Sequence, residues 1–322
     1  MANLSTPVTD PELHDYLTRR FGRAHMRRRL GVETEHAADR FGQGRTLFHI
    51  ENWNVAALII SAVLNLTGMA ARGRANVLDL QVRHNDLLLP HLPEVFNGYT
   101  LLQLSDLHLD SLETFPEVLA DTVGELQFDI CVLTGDYRFL TRGPHQQAML
   151  GLERLRQAID RDVYAVLGNH DSIAMARPIE SLGIRLLLNE NVALERKGER
   201  IWLAGIDDPH YFCADNLDKA HDGIPDESVS LLLAHSPEIY RHAAYVGFDV
   251  MMCGHTHGGQ ICLPGGIALT FNSSAPRFTG VGAWSYALMQ GYTSAGTGSS
   301  VVPARFNCPP EVTLHHLRRP VG

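Results

Sequence analysis

The stretch VMMCGHTHGG (residues 250–259) places an apolar run directly before two histidines that are separated by one residue. In an extended run, alternate side chains point to the same side, so His255 and His257 can converge on one place. The flanking glycines let the backbone turn tightly and approach a ligand closely, and neutral imidazole is the commonest metal ligand. A lone His-x-His pair is weak evidence, because two histidines on a half-exposed strand are often surface residues.

Four further apolar runs end abruptly at residues that bind metals or transfer protons. They are residues 101–104 before Asp106 and His108, 130–133 before Asp136, 163–167 before Asn169, His170 and Asp171, and 231–234 before His235. Each run is typical of a buried strand. Because ligands bind at the carboxyl ends of strands in open α/β sheets, we expect all five endings to face one site. Five such endings favour a shared metal site over polar loop residues that occur by chance.

The ordered set of these residues resembles the motifs of the calcineurin-like metallophosphoesterases, and it covers Asp106-x-His108, Gly135-Asp136, Gly168-Asn169-His170-Asp171, His235 and Gly254-His255-x-His257. Asp207-Asp208, Gly258-Gly259-Gln260 and the tail from Gly291 to Glu311 are similar to a bacterial branch of this family. That branch contains the YkuE- and YaeI-type phosphodiesterases. In one departure, Phe139 stands where many members have the second Asp of a Gly-Asp-x-x-Asp motif. That carboxylate is not a metal ligand in the family.

The resemblance implies an α/β fold in which two mixed β-sheets pack face to face and are flanked by helices, a four-layer sandwich. The residue pattern itself predicts alternating strands and helices, with a substantially parallel sheet. Helices are expected at 117–126, 146–159 and 174–182, and a strand or hairpin edge at 77–89. Shorter strands are expected at 193–195, 200–205, 230–234, 250–253 and 311–317. We therefore expect an N-terminal segment at 1–75 and a metallophosphoesterase domain at 76–319.

The composition narrows the class of protein. The formal net charge of −9 disfavours a general nucleic-acid-binding surface. The five cysteines are odd in number and show no paired spacing, which favours a reducing compartment. Cys131 and Cys253 stand within apolar runs and are expected to be buried small hydrophobes. No early apolar core of a secretory signal is present, so these features predict a cytoplasmic location.

The N-terminal quarter of the chain leaves several interpretations open. Residues 11–49 are basic and helix-prone, as in a solvated helical face or a segment attracted to an anionic membrane. Residues 55–71 are mostly apolar but fall just short of the roughly 18–20 residues of a spanning helix. A buried or interface-lying helix is favoured over a true span. Peripheral membrane contact through residues 11–74 remains an alternative.

The resemblance also implies a ligand set for two divalent transition-metal ions. One ion would be held by Asp106, His108, Asp136 and His257, and the other by Asp136, Asn169, His235 and His255. A shared Asp136 carboxylate would offset part of the repulsion between two cations about 3.5–4 Å apart. The mixed nitrogen and oxygen ligands suit Mn, Fe or Zn better than Ca.

Catalytic roles follow from the same resemblance. A hydroxide between the metals would attack phosphorus in line, and His170 is the candidate general acid for the leaving oxygen, with Asp171 orienting or charge-stabilising it. Arg138 is open to two interpretations, contact with a phosphate oxygen or exposure to solvent. His210, which follows Asp207-Asp208-Pro209, is expected to lie outside the site.

The leading functional hypothesis is a dinuclear metal-dependent hydrolase of a phosphodiester or pyrophosphate bond. Within this class, one alternative is a UDP-2,3-diacylglucosamine-type pyrophosphatase of lipid A synthesis, and another is a soluble phosphodiester or phosphoprotein substrate. A non-catalytic scaffold on the same fold is disfavoured, because all seven ligand positions and His170 are intact.

Overall fold

The computed structural model describes residues 10–39 and 54–320. Twelve strands in this part of the chain form two sheets of six strands each. The first sheet has the order β1 (Gln81–Leu88), β12 (Glu311–Arg318), β2 (Thr100–Leu104), β3 (Ile130–Leu133), β4 (Asp162–Ala165) and β5 (Ile184–Leu186). Its strands are parallel except where β12 meets β2.

The second sheet is mixed in the same way. Its order is β10 (Gly282–Tyr286), β11 (Met289–Thr293), β9 (Val250–Cys253), β8 (Ser230–Leu233), β7 (Glu199–Gly205) and β6 (Glu190–Arg196). The central strands β7, β8, β9 and β11 run parallel, and each edge is an antiparallel pair.

Alternating side chains explain why the sheets stack. In β3, Ile130 and Val132 enter the core between the two sheets, whereas Cys131 and Leu133 face the helices on the outer side. In β9, Val250 and Met252 likewise point to the partner sheet. Because both faces of these strands are buried, they are apolar throughout rather than alternating with polar residues. The structure confirms the predicted four-layer α/β architecture and the burial of Cys131.

Most of the helices cover the outer faces of the sheets, whereas α3 packs on a loop cluster that contains Ala304 and Phe306. They are α1 (Pro11–Phe21), α2 (Arg23–Asp39), α3 (Asn54–Leu66), α4 (Ala70–Val77), α5 (Phe115–Gly124), α6 (Gln146–Gln157), α7 (Ala176–Ser181), α8 (Leu217–His221) and α9 (Tyr240–Val246). Helices α1, α5, α6 and α7 contribute to the apolar core on the first sheet, and α8 and α9 to the core on the second.

Several element boundaries differ from those expected from the sequence. Val77 was expected to open a strand, but it is the buried last residue of α4, and β1 starts at Gln81. The helix expected at 117–126 begins earlier, because Phe115 is buried in its first turn. The region 174–182 divides into a 3-10 turn at 173–175 and the short helix α7. Strands β5, β10 and β11 and helices α8 and α9 were not expected.

Part of the basic N-terminal segment is integrated into the fold. Leu17, Phe21 and Met26 are buried in the core on the first sheet. Arg29 is fully buried, and its Nε lies 3.2 Å from Asp207 Oδ2. Only the remaining surface of α1 and α2 is therefore a solvated helical face. The rest of the predicted basic segment, residues 40–49, lies outside the described residues. The division of the chain at residue 75 stays a prediction.

Candidate metal centre

Five loops at the carboxyl ends of β2, β3, β4, β8 and β9 bring the candidate residues together. All eight side chains are buried, and they are Asp106, His108, Asp136, Asn169, His170, His235, His255 and His257. Five of them have a left-handed backbone, with φ values of 53° for Asp106, 42° for His108, 60° for Asp136, 71° for His255 and 50° for His257. Such strain costs about 1–3 kcal/mol per residue and clusters at functional sites.

Two glycines allow the loops to approach one another. A Cβ on Gly254 would lie 1.8 Å from Ser105 Oγ and 2.2 Å from Asp106 Oδ2. A Cβ on Gly168 would lie 2.3 Å from Asp136 Oδ1. Neither position has room for a larger residue unless a candidate carboxylate moves.

The first group of candidate ligand atoms lies around His108. Its Nε2 is 3.1 Å from His257 Nε2 and 3.8 Å from Asp136 Oδ2. The Nε2 of His257 is 3.6 Å from Asp106 Oδ1. These atoms belong to the four residues that the family resemblance assigns to one ion.

The second group lies around Asn169, whose Oδ1 is 2.7 Å from His235 Nε2 and 2.9 Å from His255 Nδ1. The two imidazole nitrogens are 3.2 Å apart. His235 Nε2 is also 3.4 Å from Asp136 Oδ2, the oxygen that borders the first group. One carboxylate oxygen therefore stands between the two groups.

Hydrogen bonds at the far sides of three rings fix which nitrogens face inward. His108 Nδ1 is 2.8 Å from the Arg138 carbonyl, His235 Nδ1 is 2.8 Å from the Thr134 carbonyl, and His255 Nε2 is 3.0 Å from the Asn272 carbonyl. A carbonyl oxygen only accepts, so each of these nitrogens donates its proton. In the neutral rings, the opposite nitrogen then presents a lone pair to the centre.

This donor set fits divalent transition metals. Lone pairs of nitrogen and oxygen that face one another at such distances repel unless a cation lies among them. Nitrogen and oxygen ligands lie about 2.0–2.2 Å from a bound ion. Two neighbouring ligand atoms of the same ion are then about 3 Å from each other. The shortest contacts in both groups, 2.7–3.2 Å, are close to this distance. These residues are therefore candidate ligands for metal ions, and Asp106, His108 and His257 also form a compact group of potential ligand atoms.

Burial sets the protonation tendencies of the side chains in the protein alone. Burial raises the pKa of Asp106 to about 6 and lowers the pKa of His108, of His255 and of His257. Burial also opposes ionisation of Asp136, but the neighbouring His235 and His170 rings hold the pKa of this carboxyl well below its usual range. Of the two candidate carboxylate ligands, Asp136 therefore stays ionised more readily than Asp106.

His170 lies at the centre, and Asp171 does not contact its ring through a described hydrogen bond. The Nε2 of His170 is 3.9 Å from Asp136 Oδ2, and its Nδ1 is 2.8 Å from the Phe139 carbonyl. The Asp171 carboxylate instead accepts from the backbone N–H groups of Asp136, Tyr137 and Gly168, at 2.7–2.9 Å. That Asp171 orients or charge-stabilises His170 stays a prediction. Asp171 fixes the loop that carries Asp136.

The structure decides between the two interpretations of Arg138 and changes the placement of His210. Arg138 is buried rather than exposed to solvent, and it donates to the carbonyls of His170, Thr141 and Gly143. Its guanidinium therefore braces the loops behind His170. His210 was expected outside the site, but its ring centroid lies 4.1 Å from that of His255, and its Nδ1 is 3.0 Å from Glu238 Oε2.

Arg305, which was not among the predicted site residues, is fully buried beside His257. Its guanidinium donates to the carbonyls of Ala295, Gly296 and Gly298 and lies 3.3 Å from His257 Nδ1. It therefore fixes the loop behind this histidine. No motif marks Arg305, because its partners are backbone oxygens brought together only by the fold.

We expect Gly254→Ala to lower the manganese content of the protein, because the added methyl group displaces the Asp106 carboxylate. Overpacking of this kind typically costs about 1–3 kcal/mol of stability. Elemental analysis after manganese loading and gel filtration measures the effect. The matched control is Gly124→Ala, where the new Cβ meets nothing within 4 Å. Equal manganese contents in the two variants would contradict the steric argument.

Comparison with known proteins places this geometry in a family. The sequence model for calcineurin-like phosphoesterases matches residues 99–259, which is half of the chain. The uncharacterised metallophosphoesterase YkoQ of Bacillus subtilis is 31% identical over 229 residues, which are 67% of this chain and 83% of YkoQ. The phosphodiesterase YaeI of Escherichia coli is 27% identical over 68% of this chain and 82% of its own.

A vertebrate relative is longer. The zebrafish transmembrane protein with metallophosphoesterase domain is 31% identical over 281 residues, which are 80% of this chain and 61% of the relative. In the described part of the present chain, no helix combines the length and apolar character needed to cross a membrane. On the family match and these identities, the chain belongs to the calcineurin-like phosphoesterases and is a hydrolase of the metallophosphoesterase class.

Proposed function

We propose that this protein hydrolyses a phosphodiester or pyrophosphate bond with two divalent ions, Mn, Fe or Zn, held on either side of Asp136. The observation that carries this proposal is the position of the Asp136 carboxylate between two groups of nitrogen and oxygen atoms. Its Oδ2 borders His108 in the first group and His235 in the second. When bound, such ions supply positive charge that polarises a phosphoryl oxygen and lowers the pKa of water. Asp106, His108, Asp136 and His257 would hold one ion, and Asp136, Asn169, His235 and His255 the other.

Asp136 is the residue on which both sites depend. Its Oδ2 lies within 3.4–3.9 Å of three imidazole nitrogens, and its Oδ1 accepts from the His170 N–H at 2.8 Å. A charged carboxylate in this position offsets the repulsion between two cations. The second oxygen meanwhile holds the backbone of the His170 loop in place.

Asn169 and His170 each have a side-chain nitrogen that can contact the substrate. Asn169 turns its Oδ1 to the two imidazoles, and its Nδ2 has no hydrogen-bond acceptor among the described residues. That N–H group can donate to a phosphoryl oxygen. His170 donates Nδ1–H to the Phe139 carbonyl, so Nε2 faces the centre and can give a proton to the leaving oxygen only after the ring has taken up a second proton there. We therefore retain His170 as the general acid.

Hydrolysis by the manganese-loaded protein tests the proposal. We expect turnover of an aryl phosphodiester or a nucleotide-sugar pyrophosphate, and Asp136→Asn should abolish it by removing the shared negative charge. Parallel assays with a phosphomonoester and with cyclic nucleotides define the bond that is cleaved. Activity of Asp136→Asn equal to that of the wild type, or wild-type protein inactive on every substrate with Mn, Fe and Zn, would contradict the proposal.

His170→Ala separates proton transfer from metal binding. We expect near-normal metal content and a kcat lowered by about 10²–10⁴-fold for an alkyl ester, the usual contribution of general acid catalysis. A nitrophenyl ester should be affected far less, because nitrophenolate leaves without protonation. The measurement is kcat for both esters in both proteins, with metal analysis as control. Loss of metal, or equal slowing of both esters, would show that His170 is a ligand or a positioning residue.

A further inference from the structure

Large apolar side chains are exposed along two segments of the described chain. On the outer side of α3, Leu58 is 69% exposed, Ile59 59% and Leu66 88%. In the loop at 261–281, Ile267 is 59% exposed and Leu269 69%. Clusters of exposed large apolar side chains are candidate interaction sites. We call the outer side of α3 together with the loop 261–281 the docking face.

The two parts of the docking face are anchored on one apolar cluster. The inner side of α3 packs through Ile60 and Leu64 against a cluster that contains Ala304 and Phe306. Ile261, at the start of the loop, packs on the same cluster, and the Cys262 N–H donates to the Phe306 carbonyl at 2.9 Å. Helix α3 and the start of the loop therefore adjoin the same buried residues.

The charge of this region is unlike that of the rest of the chain. The protein has 36 acidic residues and a formal net charge of −9, yet residues 52–78 and 250–310 contain no Asp or Glu. Both segments carry exposed arginines, which are Arg72, Arg74 and Arg277. Glu238 is the carboxylate that contacts the loop, through Ser273 and Ser274, and it is only 14% exposed. Apolar segments that carry exposed arginines and no acidic residues of their own are complementary to an anionic phospholipid bilayer.

The described length of α3 favours contact with the membrane surface. Thirteen residues make a helix about 20 Å long at 1.5 Å per residue, whereas the hydrocarbon core is about 30 Å thick. One side of α3 is already packed on the protein. The helix can therefore lie in the plane of the interface with only its outer side in contact with lipid.

The loop connects the docking face to the metal centre. Asn272 accepts a hydrogen bond from His255 Nε2 at 3.0 Å, and Gly280 accepts one from Thr256 Oγ1 at 2.7 Å. We propose that the docking face binds the surface of an anionic bilayer and that the adjoining centre acts on a phosphodiester or pyrophosphate carried by a lipid. The choice of substrate rests on the proposed function, whereas the membrane contact does not.

Sedimentation of the full-length protein with vesicles tests the contact. We expect binding to phosphatidylcholine vesicles that contain phosphatidylglycerol, and weaker binding at high salt. The double variant Ile59→Asp/Ile267→Asp should bind about a hundredfold more weakly, because two apolar contacts are replaced by charges repelled from the bilayer. Leu150→Asp is the matched control, since Leu150 is 57% exposed on α6; it should bind like the wild type.

The outcomes separate the two proposals. Hydrolysis of a water-soluble diester should be the same in all these proteins, and only a lipid-borne substrate should be cleaved more slowly by the double variant. The proposal of a docking face would be contradicted if the wild-type protein did not sediment with the vesicles. It would also be contradicted if Leu150→Asp reduced vesicle binding as much as the double variant does. A double variant that changes only the oligomeric mass in solution would contradict it as well, because that result would indicate contact with a second copy. Failure to hydrolyse any diester would instead count against the proposed function alone.

Discussion

The Asp136 carboxylate is the contact on which the centre depends. It lies between two groups of imidazole and oxygen atoms and is fully buried, where a lone charge is costly. Four loops meet at this residue through hydrogen bonds or close charge contacts: its own, the His170 loop, and those of His108 and His235. The Asp171 carboxylate fixes the backbone of Asp136 from behind. A change at Asp136 therefore alters charge and loop geometry together.

The fold makes this crowded arrangement tolerable. Five candidate residues adopt left-handed backbone conformations, and nearly every L-residue avoids them unless the surroundings impose them. Here the surroundings are two six-stranded sheets with fully buried central strands. Rigid strand ends hold the loops in position, while Gly168 and Gly254 remove side chains where they would collide.

Much of this could be predicted from sequence, and the physical reasons are specific. Buried strands are apolar throughout, so their abrupt polar endings reveal the convergence of Asp106, Asp136, His235 and His255. The hairpin of β10 and β11 was missed because its turn contains Ala287, with φ 52°, rather than the Gly or Asn that marks such turns. The placement of His210 and the partners of Arg138 depend on contacts between distant loops, which no local pattern encodes.

Crystals of the manganese-loaded protein would test the central claim most directly through anomalous scattering at the manganese edge. We expect two peaks on either side of the Asp136 carboxylate. One should be bounded by Asp106, His108 and His257, and the other by Asn169, His235 and His255. A single peak, or peaks that Asp136 does not contact, would contradict the account.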